Sequence, residues 1–259
     1  MFNFIKNLFS KINDNNVSIS LTKNDSIQYQ ESKARSLLKE ATKLKKEKKF
    51  SEACEKLKEA YIVQGSDELS VKDRLRLPMY LQLAGKNNEG WQILNELNIT
   101  HVDVSSQADI ANQMRVFLQK EKNHKKAVYF GAWNLCKEIE RDRSNIKHCL
   151  DMSDEFAALD AEYDLSNNSD KKDKVYIHTR KGNPVTDPAY EMFCERVEYS
   201  ISFDGVKEAI VHLLKKAKLE NISDALSRSL SGYLTSKKRY DFAKVQELIA
   251  KEIKQKNTI

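Results

Sequence analysis

The run Leu37-Leu38-Lys39-Glu40-Ala41-Thr42-Lys43-Leu44-Lys45-Lys46-Glu47-Lys48-Lys49-Phe50-Ser51-Glu52-Ala53-Cys54-Glu55-Lys56-Leu57-Lys58-Glu59-Ala60 decides the fold. On either side of the polar group Glu47-Lys48-Lys49, large and small apolar residues recur at three- and four-residue intervals, the period of a helix with one buried stripe. The stretch therefore reads as helix, tight turn, helix.

The same pattern returns downstream at a fixed offset. Leu44, Leu81 and Leu118 lie 37 residues apart, as do Ala53, Gly90 and Ala127, and Leu38, Leu75 and Asn112; Leu57 and Leu94 continue the series until Gly131 breaks it. Each Leu precedes its small residue by nine positions, and the later turns are Gly85-Lys86-Asn87-Asn88 and Lys122-Asn123-His124. A small residue where the second helix crosses the first lets two backbones approach closely, while Leu and aromatic side chains fill the remaining space. A hairpin built this way buries only part of its apolar face, and stacking on the next hairpin buries the rest.

In the order large, small, large, aromatic, small, large, small, the residues Leu37, Ala41, Leu44, Phe50, Ala53, Leu57 and Ala60 resemble the tetratricopeptide repeat. The resemblance spans residues 34–137, about 40% of the chain. Repeats of that family run to about 34 residues, and the longer connections Gln64-Gly65-Ser66-Asp67 and Asn98 to Gln107 fit the extra length. The later windows are degenerate: the small residue of the first helix becomes Pro78 and Arg115, and the aromatic turn residue becomes Asn87 and His124. Pro78 inside a helix would lose a hydrogen bond and clash with the carbonyl of Arg74, so the helix there is kinked, or split with Pro78 near a new start. The competing architecture is an ordinary α-bundle whose hairpins coincide in spacing.

The resemblance implies an all-α fold, a right-handed helical-hairpin solenoid, followed by a C-terminal helical subdomain. Its first helices would line a concave groove through Arg35, Leu38, Thr42, Lys45 and Lys46, then Lys72, Leu75, Met79, Gln82 and Leu83, then Asp109, Asn112, Val116, Gln119 and Lys120. Family members that hold a C-terminal carboxylate use Lys and Asn at positions that are Leu38 and Thr42 here, which argues against that specificity. The mixture of Lys, Gln and apolar residues suits an acidic, amphipathic ligand. The implied function is a protein–protein interaction adaptor or scaffold that takes a peptide or partner helix.

With the repeats as the second, the chain falls into four zones: 1–30, 31–163, 164–174 and 175–259. In the first, Phe2, Phe4, Ile5, Leu8, Phe9 and Ile12 share one side of a helix, opposite Asn3, Lys6, Asn7, Ser10 and Lys11. Such a segment suits peripheral membrane contact or partner docking, or else covers the edge of the neighbouring core; Asn13 to Gln30 read as a polar tether. The repeat zone continues through a helix from Asn145 to about Tyr163, and 164–174 reads as a linker. Val175 to Thr179 is the one β-leaning run, an extended arm ahead of the turn Arg180-Lys181-Gly182-Asn183-Pro184. Asp187-Pro188 opens a helix through Phe193, Val197 and Ile201, and Phe203-Asp204-Gly205 separates it from a helix through Val206, Ile210 and Leu214. A further helix runs through Leu226, Leu230 and Leu234, and the last carries Phe242, Val245 and Ile249. Leu234, Tyr240 and Ala243 repeat the Leu-aromatic-Ala offsets, suggesting a fourth hairpin.

Composition narrows the chemistry. Of 259 residues, 40% are apolar and 32% charged, with 7 Gly and 3 Pro, which excludes disordered, collagen-like and disulfide-stapled chains and disfavours an all-β fold. The net charge is +6, unevenly spread: Lys43 to Lys49 and residues 206–259 are basic, 151–173 acidic. Nucleic-acid binding through basic helical faces, with Tyr176 and Tyr233 for stacking, is the alternative function. Four widely spaced cysteines without a CxxC pair fit a reducing, cytoplasmic setting. No phosphate loop, HExxH, GxSxG or EF-hand run occurs, so no catalytic residue, metal or cofactor is assigned. His178, Arg180 and Lys181, beside Gly182, form the nearest approach to an anion site.

Overall fold

The computed structural model describes residues 23–65, 69–166 and 188–256, and among these every regular element is helical. The amphipathic segment 1–12, the β-leaning arm 175–179 and the anion group His178, Arg180 and Lys181 lie outside the described residues. The chain divides into two compact units, Met1–Thr100 and His101–Ile259.

The first unit holds α1 (Lys23–Lys46), α2 (Phe50–Gln64), the single turn α3 (Val71–Arg74), α4 (Arg76–Leu83) and α5 (Asn87–Thr100). Residues 23–30, read as tether, are thus helical. Good helix formers such as Gln28, Gln30 and Glu31 extend a helix already nucleated downstream without needing an apolar period. α1 packs on α2, α2 on α4, and α4 on α5. Ala41, Ala53, Cys54, Leu57, Leu77, Tyr80 and Leu81 form one buried cluster, edged by the half-buried Leu38, Leu44, Met79 and Ile93. Pro78 is the third residue of α4, and the chain breaks at Leu75 to accommodate it, the split form of the two expected outcomes.

The turns repeat in detail. Lys48, Gly85 and Lys122 take positive φ of 62°, 77° and 60°. At each, the following amide donates back over the positive-φ residue to the carbonyl of the repeating Leu: Lys49 to Leu44 at 2.9 Å, Lys86 to Leu81 at 2.8 Å, Asn123 to Leu118 at 2.9 Å. The amide of the positive-φ residue donates three residues back, to Lys45, Gln82 and Gln119. This is Schellman closure, which satisfies the last carbonyls of a helix and reverses the chain. Ala53 and Ala127 are buried to 0% and 1% exposure, and Gly90 is buried, as crossing points require.

The second unit holds α6 (Val104–Lys120), α7 (His124–Ser166), α8 (Pro188–Ile201), α9 (Phe203–Ala217), a 3₁₀ turn (Glu220–Ile222), α10 (Ser223–Ser236) and α11 (Phe242–Lys256). α7 is one uninterrupted helix of 43 residues, correcting the expectation of a hairpin arm followed by a separate helix from Asn145, and it runs through 164–166 of the expected linker. It packs against α6, α8, α9 and α11. Its stripe Val128, Ala132, Leu135, Cys136 and Ile139 joins Val206, Ile210, Leu213 and Leu214 of α9, Leu226, Leu230 and Leu234 of α10, and Val245 and Ile249 of α11 in one core. Each large side chain so buried contributes about 1.5–3 kcal/mol.

Two expected connections differ. Phe203 and Gly205 belong to α9 itself, and only Ser202 separates α8 from α9, its hydroxyl accepting from the Gly205 amide at 3.1 Å. A Cβ on Gly205 would stand 1.9 Å from the Tyr199 carbonyl oxygen, so the tight joint depends on the missing side chain. The fourth repeat-like hairpin does not follow the pattern either. Ala243 is exposed, and α10 ends at an extended Lys237, with no positive-φ turn. Among the described residues no helix is long and apolar enough to cross a membrane.

Candidate functional site

The predicted groove residues fall into two sets. Arg35, Lys45, Lys46, Lys72, Met79 and Gln82 belong to the first unit, and Asn112, Gln119 and Lys120 to the second. Arg35, Lys46, Lys72, Asn112 and Lys120 are exposed; Lys45, Met79, Gln82 and Gln119 are half-buried.

In the first unit α1 and α4 meet through a polar contact that the sequence pattern does not single out. Arg76 Nη2 donates to the Leu38 carbonyl at 2.9 Å and to Thr42 Oγ1 at 2.8 Å, and the Thr42 hydroxyl donates to the same carbonyl at 2.9 Å. Asp73 lies 3.8 Å from the guanidinium. Lys45 Nζ sits 5.4 Å from the centroid of the Tyr80 ring, which is 2% exposed, and Arg76 lies 6.0 Å from it. Cation–π attraction therefore holds Lys45 against the edge of the core. Leu38 and Met79 pack on that same core, so this face combines cations with partly covered apolar surface. Behind it, the Tyr61 hydroxyl donates to the Asp73 carbonyl at 2.5 Å, and burial raises its pKa well above the usual phenol range.

In the second unit Asn112 and Gln119 converge on Arg115. Asn112 Oδ1 accepts from Arg115 Nε at 3.2 Å and Nη2 at 2.6 Å, and Gln119 Oε1 accepts from Nη1 at 3.2 Å. Arg115 fills the position that is Ala41 in the first hairpin, 74 residues earlier. Gly131 opposite it fills the position of Leu57, and a Cβ there would stand 2.1 Å from Leu213 Cδ1 and 3.3 Å from Arg115 Cδ. The break in the Leu series at Gly131 thus has a cause: α9 brings Leu213 into that space.

No family model, curated protein or solved structure matches the chain. What the molecule can do is set by the groups themselves. Among the described residues no three His, Cys, Asp or Glu side chains are placed to hold a metal ion. Cys54 and Cys136 are buried, and burial raises their thiol pKa values to about 11 and about 12, which keeps them protonated and unreactive at neutral pH. Tyr233 packs 5.7 Å from the Tyr240 ring, and its hydroxyl oxygen accepts from the Asp241 amide at 2.9 Å.

A second polar group ties the C-terminal helices to α7. Arg143 Nη1 donates to Tyr240 Oη at 2.7 Å and to the Lys237 carbonyl at 2.9 Å, while Glu140 Oε1 accepts from the Tyr240 amide at 2.8 Å. Burial pushes the Tyr240 phenol up to about 12 against the pull of Arg143. This network fixes the α10–α11 connector and is structural. Arg76 and Arg143 pass unnoticed in the sequence, because each finds its distinctive partners 38 or more residues away, and Arg115 stands out there only as a departure from the small residue of the first helix.

Proposed function

We propose that this chain is a protein–protein interaction adaptor, a tetratricopeptide-like stack whose first helices form a concave groove for an acidic, amphipathic peptide or partner helix. The observation that carries the proposal is the identical closure of the turns at Lys48, Gly85 and Lys122, spaced 37 residues apart. Hairpins closed alike and carrying a small residue at the same crossing tend to stack with the same small rotation, and stacks of that kind present extended binding surfaces. The lining adds support: Lys45 on Tyr80 beside the half-buried Leu38 and Met79 offers charge and apolar area together, the combination an acidic amphipathic helix matches. Four unbridged cysteines suit a reducing, cytoplasmic location.

The test is a paired charge reversal, Lys45→Glu with Lys120→Glu, in affinity capture from the native cell followed by mass spectrometry. Loss of the partners recovered by the unaltered protein is expected, and unchanged recovery overturns the groove. A parallel titration with DNA and RNA at about 50 mM salt is expected to stay flat, whereas steeply salt-dependent binding would favour the nucleic-acid alternative.

A further inference from the structure

We propose that Arg115, His212 and Lys216 together form a receptor for a side-chain carboxylate of the acidic segment bound in the groove; the inference rests on the adaptor function just given. Arg115 stands on α6 with its guanidinium held by two neutral oxygens, Asn112 Oδ1 and Gln119 Oε1. These partners fix its plane without neutralising it, and they occupy three of its five N–H donors, leaving two for a ligand. Its aliphatic stem lies over Gly131, at the point where Leu213 of α9 also arrives. The next residue on α9, His212, is exposed, and Lys216 follows one turn later.

Arg115 and Lys216 both bear on His212. Partial burial and the charges of Arg115 and Lys216 hold the His212 imidazole below 6.5, which favours its neutral form. None of the three makes an ion pair among the described residues. The carboxylate that acts on Arg115 is Glu138 of α7, itself within 4.0 Å of Arg141. A half-buried guanidinium, a histidine and a lysine from two helices, gathered without a dedicated counter-ion, match an anion. The groove residues Asn112 and Gln119 that orient Arg115 place that anion on the bound peptide. A carboxylate seated there favours the imidazolium, so a proton is taken up on binding and affinity rises as pH falls through the bound-state pKa, levelling off below the free-state one.

The experiment follows the His212 Cε1–H resonance of the full chain by NMR while a capped hexaglutamate peptide is added, above about pH 5.5 so that the probe stays ionised. A saturable change with an upward shift of the His212 titration is expected, with capped hexaglutamine inert. Arg115→Gln and Lys216→Gln should each weaken the response by about tenfold. Lys216 is exposed, so its variant keeps the test sharp if Arg115→Gln fails to fold. The proposal is overturned if hexaglutamate gives no saturable change, if Lys216→Gln responds like the unaltered protein, or if inorganic phosphate alone produces the response. A His212 response alongside unchanged capture by the Lys45→Glu, Lys120→Glu protein keeps this receptor and removes the groove; loss of capture with a silent His212 keeps the groove and removes the receptor.

Discussion

The first and third hairpins share a turn, a repeating Leu and a small crossing residue, yet they fill the space between their arms in opposite ways. In the first, small Ala41 and large Leu57 belong to one apolar cluster, both at 0% exposure. In the third, the same two positions are large Arg115 and small Gly131, and the vacated volume is taken by Leu213 from α9. Volume is conserved while chemistry is exchanged, as close-packed interiors demand. The 37-residue spacing of the turns thus survives a change that turns a core pair into a half-buried cation, and a helix far along the chain supplies the side chain that fills the space.

The largest effect that would break this comparison comes from Gly131→Leu, which restores the first hairpin's large residue against an occupied space. Overpacking at that site should cost about 3 kcal/mol. Leu213→Ala alone, which empties that space, should cost about 3 kcal/mol. Urea denaturation of both single variants and the double variant measures the coupling. A double variant much better than the sum of its parts confirms the size exchange, and simple additivity refutes it.

Next in size is the difference in how hairpins are closed. The first three turns close within their own residues, whereas the α10–α11 connector depends on Arg143 from α7. Arg143→Met should therefore cost about 2 kcal/mol by leaving carbonyls and a buried phenol short of a donor. Hydrogen exchange should rise first around Lys237 to Tyr240, with the turn at Lys48 untouched.

The turns themselves offer a smaller test. Lys48 and Lys122 occupy a left-handed conformation that glycine holds at Gly85. Lys48→Gly and Lys122→Gly should each raise stability by about 0.5–1 kcal/mol, reduced somewhat by losing a cation at a helix C-terminus. Gly85→Ala should lower it by about 1 kcal/mol, all readable in thermal unfolding.

The smallest effect concerns Asp142, buried to 4% exposure and 3.2 Å from Arg196 of α8. Burial raises its carboxyl pKa above the ordinary 3.8, against the opposing pull of Arg196 and Arg141. A group with a raised folded pKa adds stability below the unfolded value and loses it as pH rises through the folded one. The stability of the unaltered protein relative to Asp142→Asn should thus decline as pH climbs from about 3.8 upward and then level off, as followed by urea midpoints across that range.

Helices α1, α2 and α5, the turns at their ends and the break ahead of Pro78 were legible in the sequence because helical period, turn residues and proline act through near neighbours. The continuity of α7 was not. Its stretch Glu138-Ile139-Glu140-Arg141-Asp142-Arg143-Ser144-Asn145 is rich in charge, but Glu140 and Arg143 find Tyr240 in the α10–α11 connector and Asp142 finds Arg196 on α8, so charge here is packed instead of solvated. Of the candidate site, Lys45, Asn112 and Gln119 were picked on the family resemblance. Tyr80 under Lys45 and Arg115 between the two amides were not, because what makes them matter is contact across helices, and the partner of Arg115 on α9 lies about a hundred residues on.

The 43-residue helix α7 is about 65 Å long at 1.5 Å per residue, and after Gly131 it has neither glycine nor proline. One and the same stripe from Val128 to Ile139 serves both as the return arm of a hairpin and as the spine of the C-terminal helices. No cut within it leaves two self-sufficient pieces: a fragment ending there carries an unclad spine, and a fragment starting there lacks one. For anyone dissecting this molecule, helices α6 to α11 are to be kept together.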